Sequence, residues 1–216
     1  MSSKVAIVTG NAKGLGSAIS EYLAENGYKK LEIIRSKDYN LKNFEDCQKL
    51  VENTRERYGG IDLLINNLGN YETNYIDKCS VESWHEMMDS NLNSAFYMSK
   101  LCLQNLREHK GKIINIGYCG LEKLSPPADH VAYQVAKTGL LTLTKAMAKE
   151  EAQHGVTVNM LSPGSLENTV ETKDILEKVP MKRFGSLDEA VKVIEFFLNN
   201  PYVTGQNIEL AGGRAL

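Results

Sequence analysis

Short apolar runs along the chain alternate with longer stretches in which apolar residues recur every three or four positions. The runs are rich in Val, Ile and Leu, which is typical of strands buried on both faces of a sheet. They occupy Val5–Val8, Leu31–Arg35, Ile61–Asn67, Lys112–Ile116, Thr157–Leu161 and Gln206–Leu210. The longer stretches predict helices over Leu15–Asn26, Asn43–Tyr58, Ser80–Leu106, Tyr133–His154 and Leu187–Leu198. Strands that alternate with helices predict an α/β fold, a doubly wound parallel sheet with helices on both faces.

The composition fits a single folded domain over residues 1–216. Hydrophobic residues make up 42% of the chain and charged residues 24%, which excludes a disordered or fibrous protein. The formal net charge of -2 creates no overall attraction for nucleic acid or an anionic membrane, so we expect neither partner. No apolar run approaches the roughly 20 residues that span a bilayer. The cysteines lack a CxxC pair, so they predict no metal site and fit free thiols in the cytoplasm: Cys47, Cys79, Cys102 and Cys119.

A glycine-rich turn follows the first predicted strand, in the segment VAIVTGNAKGLGSA. Gly10, Gly14 and Gly16 carry no Cβ, so the backbone can bend sharply there and approach a large ligand. The helix that follows presents unpaired N–H groups, which attract phosphate. A tight strand-to-helix turn that binds nothing is the alternative interpretation.

A tyrosine and a lysine form the sharpest chemical pair in the sequence. Tyr133 and Lys137 are four residues apart on a predicted helix, which places both side chains on one face. A neighbouring ammonium stabilises a phenolate and thereby lowers the pKa of a tyrosine, so the pair can protonate a substrate oxygen. Asn91, on the preceding long helix, can bind water in a proton relay. An exposed surface pair and a structural asparagine are the alternatives.

Six motifs in order resemble the short-chain dehydrogenase/reductase family. They are TGNAKGLG at Thr9–Gly16, NNLG at Asn66–Gly69, Asn91 in SNLNSAF, YQVAK at Tyr133–Lys137, SPG at Ser162–Gly164 and AGG at Ala211–Gly213. The resemblance implies a Rossmann-like fold and a bound nicotinamide dinucleotide. It also implies hydride transfer to a carbonyl or imine of a small molecule, and homodimers or homotetramers built on the long helices.

The resemblance also assigns roles to individual residues. Tyr133 would be the general acid, and Lys137 would hold the nicotinamide ribose and lower the pKa of Tyr133. Asn91 would support a water relay behind Lys137. The cofactor-binding set that it implies is Gly10, Lys13, Gly14, Leu15, Gly16, Arg35, Asp38, Asn67, Gly69, Tyr133, Lys137, Pro163 and Gly164, in which Asn67 and Gly69 line the adenosine side and Pro163 and Gly164 the nicotinamide pocket.

Two basic residues favour NADP(H) over NAD(H). Lys13 lies inside the glycine turn and Arg35 ends the second predicted strand, where a basic residue pairs with a ribose 2′-phosphate. Glu32 lies too early in that strand to bind a 2′-hydroxyl instead. Two solvated surface charges are the alternative interpretation.

The sequence departs from the family pattern in three places. The serine expected after the fourth strand is missing, and Gly117 or Tyr118 stands there, with Tyr118 as a hydroxyl donor, a stacking ring or a packing aromatic. Asp38 follows Arg35 almost at once, which predicts that an edge strand and helix are deleted and that Asp38 contacts adenine. The lid over residues 164–180 is short, with Asn168 and Thr169 near the expected amide position.

Three functions therefore remain open at the level of sequence. The first is an NADPH-dependent reductase of a 3-oxoacyl thioester or a similar carbonyl compound. The second is a dihydropteridine or dihydrofolate reductase, favoured by Tyr118, by Tyr71 and by the short lid. The third is a binding protein that senses NADP(H) without turnover, which the retention of Tyr133, Lys137 and Asn91 argues against.

Overall fold

Among the described residues, six parallel strands form the centre of the molecule. The computed structural model describes residues 4–29, 39–124, 129–167 and 173–216. Its strands are β1 (Lys4–Val8), β2 (Tyr28–Lys29), β3 (Leu63–Asn66), β4 (Lys112–Ile116), β5 (Thr157–Pro163) and β6 (Asn207–Leu210). They lie in the order β2-β1-β3-β4-β5-β6, and each neighbouring pair is parallel. The predicted α/β fold with a parallel sheet is confirmed.

Helices connect these strands. They are α1 (Gly14–Glu25), α2 (Phe44–Tyr58), α3 (Val81–Met88), α4 (Ser94–His109), α5 (Val131–Glu151), α6 (Lys173–Glu177) and α7 (Leu187–Asn199). The long helix predicted from Ser80 is α3 and α4, joined by a π-helical turn at Asp89–Asn93. Ser80 is its N-cap, because its side chain accepts the Ser83 N–H at 3.1 Å. The chain therefore enters the fourth strand after one continuous helical segment.

The helices cover both faces of the sheet, as predicted. Helices α1 and α7 pack on one face, where Ile19 and Phe197 are fully buried with the strand residue Ile65. Helices α2, α4 and α5 pack on the other face, where Met98 and Leu106 are fully buried. The central strands contact apolar helices on both sides, which explains why their sequences are apolar throughout.

The direction of winding reverses between β1 and β3, which are neighbours in the sheet. Ligands of doubly wound sheets bind at such a point, outside the carboxyl ends of the strands. On the other side of β1, β2 has no further strand beyond it in the described part of the chain. The predicted strand Leu31–Arg35 lies outside the described residues, directly after β2.

The structure also bears on disulfides, membranes and metals. The four cysteines are free thiols. In the described ranges, no helix combines the length and the apolarity needed to cross a membrane. Within those same ranges, no three side chains of His, Cys, Asp or Glu are grouped so as to hold a metal ion.

Candidate active site

The glycine turn between β1 and α1 forms a cradle with little room for side chains. Gly10 and Gly14 adopt φ values of +64° and +63°, which favour glycine. A Cβ on Gly16 would lie only 2.5 Å from the Gly10 carbonyl oxygen. Lys13 is the N-cap of α1, its side chain makes no capping hydrogen bond, and the first turn of α1 holds no acidic residue. The helix start therefore offers its N–H groups to an anion.

Asn67, directly after β3, braces this turn from the neighbouring strand. Its Nδ2 donates to the carbonyl oxygens of Thr9 at 3.1 Å and Gly10 at 2.8 Å. The Thr9 hydroxyl oxygen in turn accepts the backbone N–H groups of Asn67 and Leu68, both at 3.0 Å. Asn67 therefore fixes the shape of the glycine turn at the point where the sheet winding reverses.

Tyr133 and Lys137 lie on one face of α5, as their spacing predicts. The Nζ of Lys137 is 5.8 Å from the centroid of the Tyr133 ring. It donates a hydrogen bond of 2.7 Å to the carbonyl oxygen of Ile116, at the end of β4. Lys137 is only 3% exposed, and burial lowers its pKa to about 8. A buried ammonium thus lies directly beneath the phenol.

The pKa of Tyr133 moves in the direction opposite to the one expected. Burial raises it above the ordinary value of 10.0, and the neighbouring Tyr118, Tyr71 and Cys119 raise it further. The expectation of a lowered Tyr133 pKa is wrong for this structure, because burial outweighs any stabilisation of the phenolate by Lys137. The physical reason is that burial disfavours the phenolate, while the hydrogen bond of Lys137 goes to the Ile116 carbonyl. Tyr133 is accordingly a neutral phenol at neutral pH.

Asn91 lies in the π-helical turn and is 1% exposed. Its Nδ2 donates to the carbonyl oxygens of Asn70 and Met87, at 2.9 and 3.1 Å. Its Oδ1 is buried and accepts no hydrogen bond from the described residues. A Cβ on Gly69 would collide with that oxygen and lie 3.4 Å from Lys137 Nζ. The structure therefore brings Gly69, Asn91 and Lys137 together around a free acceptor.

Four aromatic side chains lie together at the start of α5. This aromatic cluster consists of Tyr71, Tyr118, His130 and Tyr133. The Tyr133 ring centroid lies 4.9 Å from that of Tyr71 and 5.7 Å from that of Tyr118, both edge to face. His130 is 5.5 Å from Tyr118, and its Nδ1 lies 2.9 Å from a carboxylate oxygen of Asp129. Sequence reasoning missed His130, although it precedes Tyr133 by one helical turn.

The ends of β4, β5 and β6 close the other side of the cleft. The Gly164 N–H donates to the Leu210 carbonyl at 2.8 Å, and the Cys119 N–H donates to the Pro163 carbonyl at 3.2 Å. A Cβ on Gly164 would lie 3.0 Å from the Cα of Ala211. Pro163 and Gly164 thus join this wall beside Tyr118.

Of the remaining predicted cofactor residues, the structure describes some and leaves others outside its described ranges. Leu15 is partly buried in the first turn of α1, and Lys13 beside it is exposed. Arg35 and Asp38 lie outside the described residues, as do Asn168 and Thr169 of the short lid. The structure therefore brings the glycine turn, Asn67 and Gly69 to the same sheet edge as Asn91, Tyr133, Lys137 and Tyr118.

Comparison with known proteins agrees with this geometry. Residues 30–215 match the family described as Enoyl-(Acyl carrier protein) reductase. The chain is 32% identical to 3-oxoacyl-acyl-carrier-protein reductase FabG of Vibrio cholerae, over 97% of this chain and 96% of that protein. The chain belongs to the short-chain dehydrogenase/reductase family. It is an oxidoreductase of that family, and the family implies a nicotinamide cofactor.

Further relatives extend the likeness over almost the whole chain. The FabG protein of Escherichia coli K12 is 29% identical, over 97% of this chain and 96% of that protein. A protein of Sinorhizobium meliloti 1021 described as a short-chain alcohol dehydrogenase superposes with a TM-score of 0.89 at 25% identity, covering 99% of this chain and 97% of that one. The alignment with the Vibrio cholerae protein spans 237 positions, more than the 216 residues here, so that relative carries segments which this chain lacks.

The described residues fit a nicotinamide dinucleotide. The glycine turn leaves a cradle that side chains would fill, and the start of α1 offers uncapped N–H groups beside Lys13. Two buried side-chain oxygens, Asn11 Oδ1 and Asn91 Oδ1, accept no hydrogen bond from the described residues. One lies at the glycine turn and the other beside Lys137, so both ends of the cleft hold an acceptor for a bound group or water.

The depressed pKa of Lys137 predicts a pH-dependent stability. Its folded-state pKa is about 8, below the ordinary 10.5, so the cost of burying the charge is present below pH 8. Between pH 8 and 10.5 the folded state has lost this proton, while the unfolded state still binds it. The cost of burying the charge therefore disappears as the pH rises through this range. We expect the free energy of unfolding to rise by roughly 3 kcal/mol over this window relative to Lys137→Met. Urea unfolding at pH 7, 9 and 10 measures the difference, and parallel curves for the two proteins would contradict it.

Proposed function

We propose that the chain is an NADPH-dependent reductase of a carbonyl substrate, of the 3-oxoacyl thioester type. The single observation that carries this proposal is the buried Lys137 beneath Tyr133 at the carboxyl end of β4. The FabG relatives support the substrate class, because their names describe reduction of a 3-oxoacyl group. When bound, the reduced nicotinamide supplies the hydride.

In this proposal Tyr133 is the general acid. Its raised pKa keeps the phenol protonated at neutral pH, so it can donate a proton to the substrate oxygen. The phenolate left behind would be stabilised by the ammonium of Lys137, 5.8 Å from the ring centroid. Asn91 Oδ1, which lacks a partner among the described residues, would accept from the water that returns the proton.

The proposed cofactor site runs along the sheet edge from β1 to β5. Gly10, Gly14, Leu15 and Gly16 would bind the pyrophosphate. Asn67 and Gly69 would line the adenosine side. Arg35 and Asp38, outside the described residues, would bind the 2′-phosphate and the adenine. Lys137 would hold the nicotinamide ribose, and Pro163 and Gly164 would border the nicotinamide.

Lys13 supports NADP(H) as the preferred cofactor. It is exposed beside the start of α1, where its ammonium can reach a 2′-phosphate. We expect Lys13→Ala to weaken NADPH binding about fivefold, as the loss of one exposed charge pair implies, and to leave NADH binding unchanged. Fluorescence titration with both nucleotides measures this, and Lys192→Ala on the exposed face of α7 is the control. An equal loss for both nucleotides would remove Lys13 from cofactor selection.

The aromatic cluster favours a second candidate, reduction of a dihydropteridine or dihydrofolate. Tyr71, Tyr118 and His130 surround Tyr133 with ring centroids 4.9 to 6.3 Å away. A flat heteroaromatic substrate stacks well against such rings. Tyr118 would then orient the substrate ring instead of replacing the missing serine.

One experiment separates the two candidates. Loss of NADPH absorbance is followed with purified protein and either an acetoacetyl thioester or a quinonoid dihydropteridine, with NADH in parallel. Turnover of the thioester alone is the expected result. Turnover of the pteridine alone would replace it with the second candidate. If neither reacts while NADPH still binds, the result favours either another substrate or a nucleotide-binding protein without turnover.

We further propose a single domain over residues 1–216 that assembles as a homodimer or homotetramer in the cytoplasm. The assembly would use α4 and α5, which expose Phe96 and Val135 at 42% and 43%. The four free cysteines fit a reducing compartment.

A further inference from the structure

Three residues meet at the carboxyl ends of three neighbouring strands. Tyr118 lies two residues after β4, Ser165 two residues after β5 and Arg214 four residues after β6. These strands are adjacent in the order β4-β5-β6, on the side of the sheet away from β1 and its glycine turn. Arg214 is therefore placed on the substrate side of Tyr133, away from the proposed phosphate site.

Arg214 is held in place by its turn and by its side chain. The turn depends on Gly212 and Gly213, with φ values of +58° and +86°, and the Arg214 N–H donates to the Ala211 carbonyl at 3.0 Å. The guanidinium Nη1 donates to the hydroxyl oxygen of Ser165 at 2.9 Å. Ser165 is 7% exposed and lines a cavity of about 330 Å³ together with Gly213, Glu209 and the paired Arg183 and Glu189. The guanidinium is thus fixed across the ends of β5 and β6.

The charge of Arg214 is not neutralised by a carboxylate of the described residues. Arg107 and Arg183, by contrast, each form a bidentate pair with a glutamate. Glu209 lies on the same rim, but its carboxylate accepts the Gly120 N–H at 2.8 Å. A guanidinium has five N–H donors, and the hydroxyl of Ser165 uses one. The rest are available to an anion, which a planar guanidinium binds in a bidentate manner.

The charge of Arg214 also reaches the reaction centre. Burial raises the pKa of Tyr118, and the positive charge of Arg214 acts on the same phenol in the opposite direction. Tyr118 is in ring contact with Tyr133, with centroids 5.7 Å apart. Arg214 therefore acts electrostatically on the aromatic cluster that contains Tyr133.

We propose that Arg214, together with Ser165, binds an anionic group of the substrate, a carboxylate or a phosphate. This inference rests on the proposed carbonyl reductase activity and names its substrate class more closely. It assigns Arg214 the role of a specificity-determining residue, one that selects a charged ketone over a neutral ketone of the same shape.

Matched substrates test this role through KM. Acetoacetate and methyl acetoacetate carry the same ketone with and without a carboxylate, and acetoacetyl-CoA carries phosphates that an acetoacetyl N-acetylcysteamine thioester lacks. For one of the two charged substrates, we expect Arg214→Gln to raise KM at least tenfold and to leave kcat within twofold of the wild type. The kinetic constants of both neutral substrates should stay unchanged. Arg214→Lys should recover part of the loss. Lys192→Gln, an equal change of charge on the exposed face of α7, should change nothing.

A binding measurement keeps this inference separate from the proposed activity. Titration calorimetry with acetoacetate and with inorganic phosphate is run on the wild-type complex with NADP+ and on Arg214→Gln. We expect at least a tenfold weaker affinity for one of these anions in the variant. Equal affinities in the two proteins, or equal KM changes for charged and neutral ketones, would overturn the inference. Failure of the wild type to reduce any ketone would overturn the proposed activity, and the calorimetry would still decide the role of Arg214.

Discussion

Replacement of Tyr133 by phenylalanine is expected to reduce turnover by about 100-fold to 10,000-fold, which is the usual contribution of a general acid. The change removes one oxygen and keeps the ring, so the edge-to-face contacts with Tyr71 and Tyr118 remain. The hydrogen bond from Lys137 also remains, because it goes to the Ile116 carbonyl. NADPH binding should therefore stay within about threefold of the wild type, since no bond near the glycine turn is lost. Steady-state NADPH oxidation and fluorescence titration measure the two quantities.

The matched control for this variant is Tyr202→Phe. Tyr202 is fully exposed after α7, so the same loss of a hydroxyl should leave both turnover and binding unchanged. Undiminished turnover in Tyr133→Phe would remove Tyr133 from its proposed role. Loss of NADPH binding together with turnover would instead make its hydroxyl a cofactor ligand.

Replacement of Gly16 by alanine is expected to destabilise the protein and to abolish tight nucleotide binding. Alanine is preferred over glycine in a helix by about 1 kcal/mol. At Gly16, however, the new Cβ would lie 2.5 Å from the Gly10 carbonyl oxygen and 2.6 Å from Asn67 Nδ2. Overpacking of this kind costs about 1 to 3 kcal/mol, so the net change in the free energy of unfolding is a loss. Since the turn must shift, we expect NADPH affinity to fall at least tenfold, measured by fluorescence titration beside urea unfolding.

Gly139→Ala is the matched control, because it makes the same change inside helix α5. There the nearest atom to the new Cβ is Leu92 Cδ2 at 2.9 Å, the far end of a flexible side chain that can rotate away. We expect its free energy of unfolding to change by about 1 kcal/mol or less and its NADPH affinity to stay the same. A Gly16→Ala protein as stable as Gly139→Ala, and as tight for NADPH, would show that the turn has room for a side chain.

Local patterns predicted most of the fold because each depends on residues close together in sequence. The apolar run at Lys112–Ile116 is strand β4 with the predicted bounds. The spacing of Tyr133 and Lys137 predicted a shared helix face, and the structure shows it. The helix predicted to begin at Ser80 has Ser80 as its N-cap in the structure. In each case the period of a strand or helix determines which side chains are neighbours.

Contacts between strand ends were not predictable in the same way. Arg214 and Ser165 are 49 residues apart, and no periodicity relates them. Lys137 donates its hydrogen bond to the Ile116 carbonyl, and the pKa of Tyr133 is raised. Both depend on the tertiary fold rather than on the four-residue spacing. The π-helical turn around Asn91 is likewise a departure from regular helix period that sequence spacing does not indicate.

The most direct test of the central claim, hydride transfer to a carbonyl beside Tyr133, is an isotope-transfer measurement. The purified protein is given NADPH with two deuterium atoms at C4 of the nicotinamide, together with an acetoacetyl thioester, and the product is analysed by mass spectrometry. We predict a 3-hydroxyacyl thioester one mass unit heavier than the unlabelled product, formed in equal amount to the NADPH consumed. Consumption of NADPH without deuterium in the product, or no consumption at all, would contradict the account.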